Sequence, residues 1–155
     1  MAMTMSGEVA LPADRMRVWT ALNDPEVLKR CIPGTQSLEK VSDTEFQATV
    51  RAAVGPVKAT FKGRVTLTDL DPPNAYRISG EGQGGVAGFA KGGASVRLAD
   101  AEGGGTLMAY DVEANVGGKL AQLGGRLING VAKKYADEFF ANFAKVLAGE
   151  SENAK

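Results

Sequence analysis

Seven large apolar side chains at strict four-residue steps, Leu123, Leu127, Val131, Tyr135, Phe139, Phe143 and Leu147, dominate the C-terminal part of this chain of 155 residues. No proline falls between Gly118 and Gly149, so the spacing predicts one long closing helix over that range. Four residues turn an α-helix by about 400°, so the stripe drifts by about 40° at each step. A flat partner could not follow it. Either the surface beneath is strongly twisted, or the two halves of the helix bury different faces against different neighbours.

The rest of the chain supplies such a surface. Met3, Met5, Gly7, Val9 and Leu11 alternate with polar residues, the period-2 pattern of a half-buried strand. Pro12 suits a first helical position, and Val18, Trp19 and Leu22 give a short helix of about ten residues an apolar side. Asn23-Asp24-Pro25-Glu26 starts a second short helix, which Cys31-Ile32-Pro33-Gly34 stops. Alternation then returns. A strand is expected near Leu38 to Val41; Phe46 to Val54 and Val57 to Leu67 form a long hairpin about Gly55-Pro56; Tyr76, Ile78 and Gly80 begin another strand after Asp71-Pro72-Pro73-Asn74. Ser95 to Leu98 and Leu107 to Val116 add two more. The expectation is an α+β domain over residues 1–149, an antiparallel sheet of about seven strands in meander order, curled around the closing helix, with a polar tail at 150–155.

Glycine raises two questions. Gly124, Gly125 and Gly130 fall inside the predicted helix, each at a cost of about 1 kcal/mol relative to alanine. Close packing on the sheet, room for a ligand, or a hinge would each account for them. Gly80 to Gly93 holds seven glycines in fourteen residues and contains the pattern GxGxxG. No helical stripe follows it, so a dinucleotide site is excluded and a mobile hairpin, a flap tipped by Phe89, is expected instead.

The chemistry-bearing residues are sparse. The chain has no histidine and one cysteine, Cys31, which removes the usual general base and any cysteine–histidine metal cluster. Cys31 reads as a small buried hydrophobe. Formal charge is zero, with 18 basic and 18 acidic side chains, so no global field draws nucleic acid. Asp111 and Glu113 share the polar parity of their strand and are expected to face water. Arg51, Lys58, Lys62 and Arg64 make one face of the long hairpin basic, a solvated face or a dock for anionic lipid or an acidic partner.

Asn23-Asp24-Pro25-Glu26-Val27-Leu28 leading into Cys31-Ile32-Pro33-Gly34, the strand Gly105-Thr106-Leu107-Met108-Ala109-Tyr110, and Gly118-Lys119-Leu120-Ala121-Gln122-Leu123-Gly124 with Arg126-Leu127-Ile128 follow one another in a specific order and spacing. In these segments the chain resembles the carbon monoxide dehydrogenase G-subunit family of the START-like (SRPBCC) helix-grip superfamily, from about Met3 to Leu147. The resemblance implies a helix-grip fold with a hydrophobic cavity between helix and sheet. It also implies an accessory role beside a molybdenum hydroxylase of the carbon monoxide dehydrogenase type, in assembly, membrane recruitment or handling a quinone-like electron acceptor.

The leading expectation is therefore a non-enzymatic, cytoplasmic protein that binds a small hydrophobic ligand. No cofactor is expected beyond a bound quinone or lipid. The polar ending Gly149-Glu150-Ser151-Glu152-Asn153-Ala154-Lys155 points to transient, peripheral contact with the inner face of a membrane at most. By parity, the residues expected to line the cavity are Trp19, Ile32, Phe46, Val50, Phe61, Val65, Ile78, Phe89, Met108, Tyr110, Leu123, Leu127 and Val131. Two alternatives stand beside this reading. One is a polyketide cyclase or dehydratase using Tyr110 or Glu81 in the same cavity; the other is a pure interaction module docking through the basic hairpin face.

Overall fold

The computed structural model describes residues 2–149; the polar tail read at 150–155 lies outside them. Seven antiparallel strands form one sheet: β1 (Ala2–Leu11), β2 (Thr35–Ser42), β3 (Glu45–Val54), β4 (Val57–Asp71), β5 (Ala75–Gln83), β6 (Phe89–Asp100) and β7 (Thr106–Gly117). Strands β2 to β7 run as a meander, and β1 departs from that order by pairing beyond β7. The alternation read from sequence appears as burial: Met3, Met5, Gly7 and Val9 are covered on β1 while Thr4, Ser6 and Glu8 are exposed. A register shift in the β4–β5 ladder between Thr68 and Asp71, with Asp69 at φ 53, bends the longest strand and adds to the curl.

Two short helices follow β1. The first, α1 (Arg15–Leu22), begins later than Pro12, because Asp14 is the better cap: its Oδ1 accepts a hydrogen bond from the Arg17 N–H at 2.8 Å. The second, α2 (Pro25–Cys31), starts as expected, with the Asp24 carboxylate accepting from the Glu26 N–H at 2.9 Å and Pro25 in the first turn. Thr106 ties β7 to the segment before α1, its hydroxyl donating to the Ala13 carbonyl at 2.7 Å.

The closing helix is not continuous. It is divided into α3 (Lys119–Gln122) and α4 (Gly125–Leu147), and the break lies at Gly124, whose φ of 88° places it outside helical space. Glycine adopts that conformation without the steric cost a side chain would bring. A Cβ on Gly124, Gly125 or Gly130 would meet nothing within 4 Å. Close packing on the sheet, one of the readings offered for these residues, is thereby corrected.

The glycine-rich hairpin is also corrected. It is paired through Gly80↔Gly92, Gly82↔Ala90 and Gln83↔Phe89, leaving only a tight 3-10 turn at Gly85–Ala87. A Cβ on Gly92 would stand 2.1 Å from the Glu113 carbonyl oxygen, so its glycine permits close approach of β7. Val86, 85% exposed, is the apolar tip, and Phe89 instead leans over Gly117.

Apolar burial falls into two clusters. The larger joins α1, α2 and the C-terminal half of α4 to the sheet through Val18, Leu22, Cys31, Phe46, Tyr76 and Phe143. The smaller closes the other end of the sheet with Val116, Leu120 and Ile128.

Candidate functional site

Between the concave face of the sheet and α4 lies a cavity of about 590 Å³. Its floor is built by inward parity on neighbouring strands, where register sets Phe46 beside Val65 and Val50 beside Phe61. Ile78, Met108 and Tyr110 continue the floor across β5 and β7. Leu28, Ile32 and Pro33 form one end wall, and Tyr135, Ala136, Phe139 and Phe140 form the roof. The lining includes no aspartate, glutamate, lysine, arginine or cysteine.

The roof is braced by aromatic packing. Tyr110 stacks on Phe140 at 5.3 Å between centroids, Phe140 meets Phe139 edge-on at 5.2 Å, and Phe139 stacks on the fully buried Phe143 at 5.5 Å. The Tyr135 hydroxyl accepts from the Ala53 N–H at 3.3 Å, joining α4 to β3. Asn142 donates through Nδ2 to the Cys31 carbonyl at 3.1 Å, fixing α2 under the same helix. Burial pushes the Cys31 thiol up to about 11, against a smaller opposing effect of Arg30. Burial likewise raises the Tyr76 hydroxyl well above the usual tyrosine range.

Of the thirteen residues expected on the wall, eight are there: Ile32, Phe46, Val50, Phe61, Val65, Ile78, Met108 and Tyr110. The other five lie elsewhere. Trp19 stands behind the wall with its ring edge-on to Tyr76 at 5.1 Å. Phe89 is 43% exposed, Leu123 joins the smaller apolar cluster, and Leu127, 36% exposed, rests over the turn at Gly55. Val131 is half-buried off the wall. The drift of the four-residue stripe explains the last two. From Leu127 to Phe143 it accumulates to about 160°, so with Phe143 in the core Leu127 faces outward and its neighbour Ile128 is buried.

The cavity thus lies under Tyr135 to Phe140 and not under the glycine-bearing start of the helix. Sequence reading passed over Tyr76, which shares the inward parity of Ile78, and Ala136 and Phe140, one position beyond the stripe. Their signal was available in the pairing of Tyr135 with Ala136 and Phe139 with Phe140, which widens one helical face.

Charged residues of β5, β6 and β7 occupy the opposite face of the sheet. Arg77 pairs with Glu113 at 2.5 Å and Arg97 with Asp111 at 3.1 Å, all substantially exposed. Glu81 lies in register with Arg64 and Lys91 on that outer face. Among the described residues no group of three histidine, cysteine, aspartate or glutamate side chains could hold a metal ion, and no helix is long and apolar enough to cross a membrane.

Comparison with known proteins agrees with this geometry. The model of the family described as the carbon monoxide dehydrogenase G-subunit (CoxG) matches residues 7–148, and the chain belongs to that family. A conserved protein from Geobacillus kaustophilus has 32% identity and a TM-score of 0.88, over 94% of this chain and 95% of that one. Two more distant structures share the fold. The Zhui aromatase/cyclase from Streptomyces sp. R1128 has 12% identity and a TM-score of 0.69 over 97% and 96% of the two chains. Protein Ms6760 from Mycobacterium smegmatis has 15% identity and a TM-score of 0.68 over 93% and 90%. No curated protein matches the chain.

Proposed function

We propose that this member of the CoxG family is a non-enzymatic carrier that holds a quinone- or lipid-like molecule between α4 and the sheet, in the service of a carbon monoxide dehydrogenase-type molybdenum hydroxylase. The observation that carries the reading is the cavity of about 590 Å³, whose lining combines aliphatic and aromatic side chains with no ionisable group other than tyrosine. A pocket of this size and apolarity favours a largely hydrocarbon occupant, and it offers no paired acid and base to act on one. The partner enzyme is suggested by the family description alone.

The cyclase or dehydratase reading retains one of its two candidates. Tyr110 lines the cavity, whereas Glu81 lies across the sheet from it. The docking reading retains the exposed basic residues Arg51, Lys58, Lys62 and Arg64.

Native mass spectrometry after incubation with a prenylated quinone or a phospholipid tests the carrier reading. A one-to-one adduct is expected for the quinone, and Ala136→Phe, which fills the roof, should reduce it about tenfold. Absence of any adduct with either compound would overturn the reading.

A further inference from the structure

We infer that the Tyr76 hydroxyl is a fixed hydrogen-bond donor to the molecule in the cavity, so that the cavity selects an apolar compound bearing a carbonyl over an equally shaped hydrocarbon. The inference rests on the ligand-binding reading above and names the chemistry of that ligand. Tyr76 is 5% exposed, forms part of the cavity wall, and has its ring held edge-on against Trp19. Among the described residues its hydroxyl has no hydrogen-bond partner, and yet no unpartnered side-chain oxygen is fully covered. The oxygen therefore has open space beside it, and the space beside that wall is the cavity.

The other two tyrosines on the wall differ. Tyr135 is engaged by the Ala53 N–H. Tyr110 sets its oxygen over Gly7, where a Cβ would come within 2.6 Å of it, beside a cleft lined by Asn129, Lys133 and Asp137. Among the described residues Tyr76 is thus the wall tyrosine whose hydroxyl is neither engaged by the backbone nor set beside a polar cleft.

A hydroxyl removed from water without a partner is unfavourable, and an occupant that supplies an acceptor recovers the loss. A phenol is a good donor, and burial keeps Tyr76 in its neutral, donating form. The acceptor is specified by what surrounds it. No lysine or arginine lines the cavity, so a carboxylate or phosphate would be buried without a counter-charge, while a neutral carbonyl satisfies the donor at little desolvation cost.

A matched pair of probes separates this hydrogen bond from apolar burial. 2-Acetylnaphthalene and 2-ethylnaphthalene share one skeleton, and burial alone favours the more apolar ethyl compound. Calorimetric titration of the protein should show the ketone binding about tenfold more tightly. Tyr76→Phe should abolish that preference while still binding the ethyl compound, which also reports an intact cavity; Tyr110→Phe should preserve it. A measurement that needs no variant is the infrared carbonyl stretch of the bound ketone, expected at lower frequency than in hexane. Equal affinities for the two probes, a preference that survives Tyr76→Phe, or an unshifted stretch overturns the role of Tyr76 and leaves the cavity reading standing. Failure of both probes to bind overturns the cavity reading together with the inference.

Discussion

The two ends of the closing helical region are built to different standards. From Tyr135 to Leu147 it carries four aromatic side chains, contacts α2 through Asn142, and sends Phe143 and Leu147 into the larger core. From Gly118 to Val131 it is broken at Gly124, has no side-chain cap on α4, and contributes Leu120 and Ile128 to a small plug. The end with the largest side chains also borders the cavity. Bulky residues that brace one another through ring stacking can hold a roof over unfilled volume, whereas at the other end Leu120 and Ile128 pack with Val116 and leave none.

The largest expected effect comes from testing that contrast in the core. Phe143→Ala should destabilise the protein by about 3–5 kcal/mol, and Leu127→Ala, four turns away on the same stripe, by less than about 1 kcal/mol. Urea unfolding measures both, and equal losses would show that the two ends are not distinct.

A second effect should appear in alkaline solution and belongs to the braced end. The Cys31 thiol has a reference value of 9.0 and is raised to about 11 in the fold. Below pH 9 it is a thiol in both states and its contribution is fully present. Between about pH 9 and 11 the unfolded chain ionises first and binds fewer protons than the native state, so stability falls as pH rises. Denaturation midpoints for Cys31→Ala should decline less steeply over that window; an unchanged slope would argue that Cys31 is not the group responsible.

The smallest effects should appear at the loose end. Gly125→Ala and Gly130→Ala place a Cβ in open space on a helix and should each raise stability by up to about 1 kcal/mol, read as a higher Tm. Gly124→Ala forces a side chain into positive φ and should lower it by about 1–2 kcal/mol. If all three substitutions behave alike, the break between α3 and α4 is not a conformational requirement.

Much of this was legible in the chain. Period-2 burial placed Phe46, Val50, Phe61, Val65 and Ile78 on one face, because a strand's parity survives any later choice of partner. Asp24-Pro25 announced α2 through local hydrogen bonding alone. The helix was harder. Its stripe told of drift, but which part of a drifting stripe faces the sheet depends on where the helix is set down, and Leu127 and Val131 were misplaced for that reason. The paired stretch Gly80 to Gly93 looked like a flap because glycine signals both looseness and close approach of neighbouring backbones, and only the adjoining strands distinguish them.

What the sequence determined by itself is therefore the set of elements and their inward faces, together with the family to which the residues from Gly7 to Ala148 belong. These follow from short-range periodicity and from motifs read within a single segment. Tertiary structure decided the break at Gly124, the side on which the cavity lies, and the placing of Tyr76 on its wall. Each of those depends on which surfaces meet across the sheet, and contacts between residues distant in sequence leave no periodic trace along the chain.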